Sequence, residues 1–294
     1  MAFGLRAPTE PIPLSVEKFL QSLPPSPVAL IGCRVTDASF DCCEYDLAVF
    51  GEDKQAQVVQ LDGQAIELLY FPADPSISIV DLYQMRILRD SNKFALASAA
   101  KEMTQEKFRK ALRASGRKSM VSSLFCQRMA HQASGSLVGH MWAKIAAYRF
   151  VAGAIALSGK RPMPLHELEQ TRQVEASSAV ADGLGAALEC IGLERATRPS
   201  ISRSIQALYE LKSKDYDKEL VMSKIEFLLG RQMLADCYFF IGRTAAENLA
   251  KRKDSFHNKY SKLVQLALDL TSDVQQMEKS ERSLFKAASA ILKE

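Results

Sequence analysis

The chain has 294 residues, of which 47% are hydrophobic and 24% are charged, and its formal net charge is +4. This composition is typical of a soluble globular protein and excludes disordered and fibrous classes. A charge this small does not by itself predict a nucleic acid or an anionic membrane as a partner, although a local basic patch can bind either. The six cysteines show no paired CxxC spacing. That favours reduced thiols in a cytoplasmic protein over a structural zinc site.

Neither the N-terminal segment nor the most apolar window of the sequence predicts a membrane association. Residues 1–14 contain no basic region followed by a long apolar core, so no signal peptide is expected. The window 141–159 contains Lys144 and Arg149, and its uninterrupted apolar stretch FVAGAIAL is too short to span a bilayer. We therefore expect a core helix there and no membrane partner.

Short runs of strand-forming residues dominate the first part of the chain. A short helix is predicted at 15–23, where two consecutive prolines end it. Strands are predicted at 28–33, 44–50, 56–61, 65–71 and 85–88. The dipeptide Asp62-Gly63, between the third and fourth of these runs, is a strong signal for a two-residue hairpin turn. The run 76–83 matches neither a strand nor a helix pattern clearly.

From residue 93 onward, apolar residues recur with a period of about 3.6 and prolines are few. Helices are predicted at 93–114, 118–133, 137–158, 175–192, 199–213, 217–250 and 255–292. The apolar face of the third helix is formed by Leu137, Met141, Ile145, Tyr148, Ala152 and Ile155. The sequence therefore predicts an α+β protein, with a small mixed-sheet domain over 1–92 and an all-α helical bundle over 93–294.

Two carboxylates, Glu44 and Asp46, stand one residue apart at the head of an apolar strand. Side chains alternate faces along a strand, so these two point the same way while Tyr45 and Leu47 point the other way. Two like charges so close repel unless a cation lies between them, and Mg²⁺ prefers oxygen ligands of this kind. Glu67, the one charged residue of QAIELLYF, completes a three-carboxylate cluster if its strand lies beside the second strand. Taken alone, Glu44 and Asp46 could instead be a solvated strand end.

A glycine precedes these acids. Gly32-Cys33 follows the apolar strand VALI, and a glycine at a strand end lets the backbone approach a phosphate closely. The order of strand, Gly32-Cys33, loop, Glu44-Tyr45-Asp46-Leu47 and a later strand with Glu67 resembles the signature of the nucleotidyltransferase superfamily of DNA polymerase beta. That superfamily includes kanamycin nucleotidyltransferase and the minimal nucleotidyltransferases of prokaryotes. Residues 86–96, RILRDSNKFAL, also resemble the strand and the aspartate-containing turn that lead into the family's first helix after the sheet.

The resemblance implies the transfer of a nucleoside monophosphate from a nucleoside triphosphate, such as ATP, to a hydroxyl acceptor, with release of pyrophosphate. It implies that Glu44, Asp46 and Glu67 are catalytic and bind Mg²⁺ or Mn²⁺, which activates the acceptor hydroxyl and neutralises the triphosphate. The nucleotide-binding positions that it implies are Gly32, Cys33 and Arg34, together with Lys144 and Arg149, for which a role on the helix surface is the alternative. The helical bundle would be a substrate-binding or accessory domain. The acceptor stays open between a small molecule, a protein side chain and an RNA end, and neither nucleotide preference nor oligomeric state is predicted.

Two departures from the family pattern leave an alternative open. Cys33 stands where the family usually has serine or glycine, and Glu44 and Glu67 stand where many active members have aspartate. A thiol is a weaker hydrogen-bond donor than a hydroxyl, and an added methylene shifts a carboxylate. The alternative is a catalytically degenerate nucleotidyltransferase-fold protein that acts as a nucleotide-binding or protein-binding module.

Other patterns in the sequence support competing chemistries less well. The GxSxG elbow of serine hydrolases is missing, as are the glycine patterns of P-loop and dinucleotide-binding enzymes. The basic stretch 106–118 is typical of a solvated helix face, and binding of a triphosphate or an RNA backbone is the other interpretation.

Overall fold

The computed structural model describes residues 11–36, 38–72, 79–90, 96–175, 177–211, 217–270 and 274–293. The chain forms two compact units, Met1–Ala111 and Leu112–Glu294. The fold class is α+β, because a five-stranded mixed sheet near the N-terminus is followed by a long series of helices. This fold class is the one that the sequence predicts.

The first unit contains one helix before the sheet and two short helices around its last strand. Its elements are α1 (Leu14–Ser22), β1 (Val28–Ile31), β2 (Tyr45–Phe50), β3 (Gln57–Leu61), β4 (Gln64–Phe71), α2 (Ile79–Leu82), β5 (Arg86–Arg89) and α3 (Leu96–Glu102). The predicted first helix and the five predicted strands are confirmed. The run 76–83, which the sequence leaves unassigned, contains α2, and its first three residues lie outside the described part of the chain.

The strands are arranged in the order β3-β4-β2-β1-β5. Strands β2 and β4 run parallel at the centre of the sheet, whereas the other neighbouring pairs are antiparallel. Asp62 and Gly63, with φ angles of 48° and 77°, form the turn between β3 and β4, which confirms the predicted hairpin. In the register of β2 with β4, Asp46 lies opposite Glu67. The second and fourth strands are therefore neighbours, as the three-carboxylate cluster requires.

An apolar cluster covers each face of the sheet, because side chains alternate along each strand. One cluster packs against Val16 of α1 and contains Val28, Leu30, Tyr45, Leu47, Val49, Ile66 and Leu68. The other joins the sheet to the helices that follow and contains Ala29, Ile31, Ala48, Phe50, Leu82, Leu96 and Met103. Leu96 and Met103 pack into this cluster, and the compact first unit runs to Ala111, while the domain division at residue 92 stays a prediction.

Asp90 connects the last strand to α3. Its two carboxylate oxygens accept hydrogen bonds from the backbone N–H groups of Leu96 at 2.9 Å and Ala97 at 3.1 Å. These donors would otherwise be left without partners at the start of a helix. The aspartate that the sequence places in a turn after the strand therefore caps α3.

The rest of the chain is helical. Its helices are α4 (Gln105–Gln132), α5 (Leu137–Leu157), α6 (Glu167–Arg172), α7 (Ser178–Ile191), α8 (Arg198–Glu210), α9 (Lys218–Gly230), α10 (Leu234–Ala250), α11 (Asp254–Lys259), α12 (Ser261–Ala267) and α13 (Val274–Lys293). The predicted core helix is α5, which packs against α6, α7, α10, α12 and α13. The predicted apolar face of α5 is buried except at Leu137, which is half-buried, and the opposite face, which includes Ala143, Ala147 and Phe150, is buried as well. No helix in the described ranges combines the length and apolarity needed to cross a bilayer.

Helix α4 runs without a break through Gly116, so the predicted division into helices 93–114 and 118–133 is wrong. The break lies earlier, where the Thr104 hydroxyl accepts a hydrogen bond from the Lys107 N–H at 3.2 Å. A Cβ atom on Gly116 would lie 2.7 Å from Leu157 Cγ and 3.0 Å from the Gly153 carbonyl oxygen. Gly116 therefore permits close packing of α4 against α5 and does not end a helix.

The predicted helices 217–250 and 255–292 are each divided in the structure. Gln232, with a φ of 58°, separates α9 from α10, and Asp269, with a φ of 46°, follows α12. The last residue of α9 is Gly230, a residue type that commonly marks a helix end, whereas neither a glycine nor a proline marks Tyr260, between α11 and α12, or Asp269. Left-handed backbone at a residue such as Asp269 is uncommon and leaves no compositional signal, so the pattern predicts longer helices than the structure contains.

Candidate metal centre

Glu44 and Asp46 lie at the start of β2 on the face that also carries Ala48 and Phe50. Tyr45 contributes instead to the apolar cluster beside α1. Parallel pairing with β4 brings Glu67 opposite Asp46. Alternation along β2 and the register with β4 therefore place all three acids on the same face of the sheet.

The three carboxylates form a compact cluster. One oxygen atom from each of Glu44, Asp46 and Glu67 lies within 4.8 Å of the other two. Glu44 is 9% exposed, and the other two side chains are half-buried. Like charges at such separations repel, and oxygen donors arranged in this way are the ligands that hard divalent cations prefer. The cluster therefore has the donor chemistry of a Mg²⁺ or Mn²⁺ site.

Gly32 provides the space that the Asp46 carboxylate occupies. Gly32 has a φ of 79°, and a Cβ atom built on it would lie 1.7 Å from Asp46 Oδ2. Ile31, the residue before it, pairs with Asp46 across β1 and β2. Any other residue at position 32 would be strained by the backbone and would displace the carboxylate.

Arg34 ties the loop before Glu44 to the turn after β1. Its Nε and Nη2 atoms donate hydrogen bonds to the Cys43 carbonyl oxygen at 3.0 and 2.6 Å, and Nη2 donates to the Asp41 carbonyl oxygen at 3.0 Å. The guanidinium carbon also lies 4.7 Å from the centre of the Tyr45 ring. These contacts fix the backbone directly before Glu44. They give Arg34 a positioning role, and its part in nucleotide binding stays a prediction.

Cys33 begins a short 3-10 turn after Gly32 and is buried. A hydrogen bond with the Cys43 side chain, together with burial, raises the pKa of the Cys33 thiol well above its ordinary value. The negative charges of Asp46 and Glu44 act in the same direction. These surroundings therefore favour the neutral thiol form of Cys33. Contact of the Gly32 and Cys33 amides with phosphate stays a prediction.

The other two predicted nucleotide-binding residues, Lys144 and Arg149, lie on α5 in the helical unit. The Lys144 ammonium is fully buried and donates hydrogen bonds to the carbonyl oxygens of Leu268 at 2.7 Å and Asp269 at 3.3 Å. Arg149 pairs with Glu247, with nitrogen–oxygen distances of 2.9 and 3.2 Å. Both cations therefore have partners within the helical unit, and their part in nucleotide binding stays a prediction.

No protein-family model and no curated protein matches the chain. Among solved structures, the chain is similar to a nucleotidyltransferase-like protein from Exiguobacterium sibiricum 255-15, solved by crystallography at 1.90 Å resolution. The two chains share 12% sequence identity, with a TM-score of 0.30 over 86% of this chain and 84% of that chain. A likeness at that TM-score does not assign a function, and the proposal below rests on the residues of the carboxylate cluster.

Proposed function

We propose that this protein is a metal-dependent nucleotidyltransferase, which moves a nucleoside monophosphate from a nucleoside triphosphate to a hydroxyl acceptor and releases pyrophosphate. The observation that carries the proposal is the convergence of Glu44, Asp46 and Glu67 beside Gly32. The Asp46 carboxylate fills the space beside Gly32, and the backbone amides of the turn at Gly32 and Cys33 are the proposed phosphate contacts. Metal and triphosphate are the two ligands that this combination suits.

The residues present fit a divalent cation. All three donors are carboxylate oxygens, their separation of at most 4.8 Å allows a single ion to contact more than one of them, and the missing side chain of Gly32 leaves room for the Asp46 carboxylate. In proteins, Mg²⁺ is commonly held by one or two carboxylates together with substrate phosphates. When bound, such an ion supplies Lewis-acid stabilisation of phosphate charge and lowers the pKa of a coordinated hydroxyl.

The chain's own residues have distinct tasks in this proposal. Glu44, just before β2, and Asp46, on β2, would hold the metal ion. Arg34 positions the loop that leads into them. Glu67, on the neighbouring strand, faces the acceptor hydroxyl, whose proton a carboxylate can accept. Because the acids stand on or next to paired strands at the centre of the sheet, their spacing is fixed before substrate binds.

Transfer of labelled nucleotide tests the proposal. The protein is incubated with each α-labelled nucleoside triphosphate and Mg²⁺ or Mn²⁺, alone and with cell extract, and labelled products are separated by size and class. We expect one acceptor to become labelled, and Asp46→Asn to remove the transfer. The control is Glu52→Gln, which neutralises an acid that follows the other end of β2 and pairs with Lys54. Equal labelling by the wild type and Asp46→Asn would contradict the proposal.

A second candidate is a catalytically degenerate nucleotidyltransferase fold that acts as a binding module. The observation that favours it is Cys33, whose thiol is engaged with Cys43 where an active member would present a hydroxyl. The double variant Glu44→Gln, Asp46→Asn distinguishes the two candidates. A binding module keeps its biological effect in that variant, measured by complementation of a deletion strain at wild-type protein level, whereas an enzyme loses it.

A further inference from the structure

Helix α4 concentrates positive charge on its surface. Its exposed lysine and arginine residues are Lys107, Arg109, Lys110, Arg113, Arg117, Lys118 and Arg128. Its one acidic residue is Glu106. The positive excess of this single helix is therefore larger than the net charge of +4 of the whole chain. Such a helix attracts polyanions, because phosphate groups gain from several cations in a row.

Two apolar side chains are exposed to solvent among these charged residues. Val121 and Phe125 are 56% and 60% exposed, and they lie one helical turn apart between Lys118 and Arg128. With about 100° between successive residues of an α-helix, these four residues and Lys110 fall on one face. The opposite face is covered, since its side chains are buried: Leu112, Met120, Ser123, Cys126, Gln127 and Ala130. Phe125 is therefore presented outward from a cationic face and takes no part in the core.

Helix α13 runs beside α4 in the opposite direction. Arg117 Nη2 donates a hydrogen bond to the Leu292 carbonyl oxygen at 2.8 Å, near one end of the pair. Just beyond the other end of α4, the Ser134 hydroxyl lies 3.5 Å from Glu278 Oε1. The residue numbers of these contacts increase along α4 while they decrease along α13, so the two helices are antiparallel.

This pairing brings a second exposed aromatic residue to the level of Phe125. Phe285, midway along α13, is 54% exposed. Arg282 and Lys286 lie within three residues of it and are exposed, while Glu281 lies one helical turn before it and Glu278 pairs with Arg282 at 4.0 Å. Two phenylalanine rings and several cations therefore occur together on two adjacent helices.

We propose that this α4–α13 surface, defined by Lys118, Phe125, Arg128 and Phe285, binds single-stranded nucleic acid. The cations would contact backbone phosphates, and the exposed rings would stack on unpaired bases, the combination that non-specific single-strand binding requires. A membrane surface fits less well, because the apolar face that would enter the lipid is already buried in the helical unit. A duplex would hide its bases from the rings. The inference goes beyond the proposed transferase activity and does not depend on it.

Fluorescence anisotropy of the full chain tests the inference. The probes are fluorescein-labelled oligouridylate and oligothymidylate of about 16 nucleotides, a duplex of the same length and a poly-glutamate peptide. We expect single strands to bind, with affinity that falls as salt rises, and the RNA and DNA probes show whether the ribose matters. Phe125→Ala should weaken binding by about tenfold, Phe125→Trp should retain it, and Lys118→Glu with Arg128→Glu should abolish it.

Matched controls come from the same unit. Tyr209→Ala removes another exposed aromatic side chain, 55% exposed on α8, and Lys262→Glu reverses an exposed charge on α12. Both should bind as the wild type does, and thermal melts should show that all variants are folded. The proposal is overturned if the wild type binds no single strand, if Phe125→Ala binds as tightly as the wild type, or if the duplex or poly-glutamate binds equally well.

Discussion

At the scale of single residues, Gly32 and Asp46 meet where β1 ends, and Asp46 Oδ2 occupies the space that a Cβ atom on residue 32 would need. The left-handed backbone of Gly32, with a φ of 79°, turns the chain away from the sheet at this point. One glycine therefore serves two purposes, since it permits the turn and accommodates the carboxylate. Substitution there should disturb the fold and the cluster together.

Gly32→Ala can be compared with Gly51→Ala, because both glycines have a positive φ and Gly51 has open space where its Cβ would be. We expect Gly51→Ala to lower the free energy of unfolding by about 1 kcal/mol, from backbone strain alone. Gly32→Ala should lower it by about 2 kcal/mol more, because the added methyl collides with the Asp46 carboxylate. Urea unfolding measures both values. Equal losses would show that Asp46 does not lie against residue 32.

The buried Lys144 makes the free energy of unfolding depend on pH, in a direction that follows from its lowered pKa. Burial, followed by the charge of Arg195, lowers the pKa of Lys144 to about 7 from an ordinary value of 10.5. Between these two values the unfolded chain holds a proton that the folded protein lacks, so the free energy of unfolding should rise with pH across that window. The slope is at most about 1.4 kcal/mol per pH unit.

The variant Lys144→Met removes the titrating group, so its free energy of unfolding should lack this rise between pH 7 and 10. Lys262→Met, which removes an exposed lysine, should behave as the wild type does. Urea unfolding at several pH values supplies the comparison. Parallel curves for the wild type and Lys144→Met would contradict the assigned pKa.

At the scale of elements, helix packing depends on where small residues stand. In α7, Gly183 faces the interior, where a Cβ atom would lie 2.1 Å from Phe150 Cζ and 2.8 Å from Ala287 Cβ. Gly185, two residues later in the same helix, has nothing within 4 Å of the same position. These two glycines therefore have the same intrinsic helix propensity and opposite packing environments.

Alanine at each position should change stability in opposite directions. Gly185→Ala should raise the free energy of unfolding by about 0.5–1 kcal/mol, because alanine loses less backbone entropy in a helix. Gly183→Ala should lower it by about 1–3 kcal/mol, because the methyl forces Phe150 or α13 to move. Differential scanning calorimetry of the two variants provides the measurement. A stabilised Gly183→Ala would show that α7 is not packed as described.

The same elements show what the sequence can predict. The strands and the hairpin at Asp62-Gly63 were predictable because a period of two and a left-handed turn dipeptide are local signals. The break at Asp269, after α12, was not, since neither a glycine nor a proline marks it. The continuous course of α4 through Gly116 was not predictable either, because a glycine that ends a helix and a glycine that admits a neighbouring helix look alike in sequence.

At the scale of the whole molecule, some features of the candidate site could be predicted from the sequence and others could not. The face shared by Glu44, Asp46 and Glu67 follows from alternation and from the adjacency of two strands, so the sequence contains it. The burial of Lys144 does not follow, because its partner Leu268 lies 124 positions away in the chain. The outward face of Phe125 depends on which side of α4 the other helices cover. Local chemistry is therefore predictable here, whereas roles set by long-range packing are not.

Electron paramagnetic resonance measures Mn²⁺ binding directly and so tests the proposal that Glu44, Asp46 and Glu67 bind a divalent metal ion. With a non-hydrolysable nucleoside triphosphate present, the wild type should bind Mn²⁺. The double variant Glu44→Gln, Asp46→Asn should lose that binding while it stays folded, with equal or higher stability because like-charge repulsion is relieved. The control Glu52→Gln should bind as the wild type does. Undiminished Mn²⁺ binding by a folded double variant would contradict this proposal.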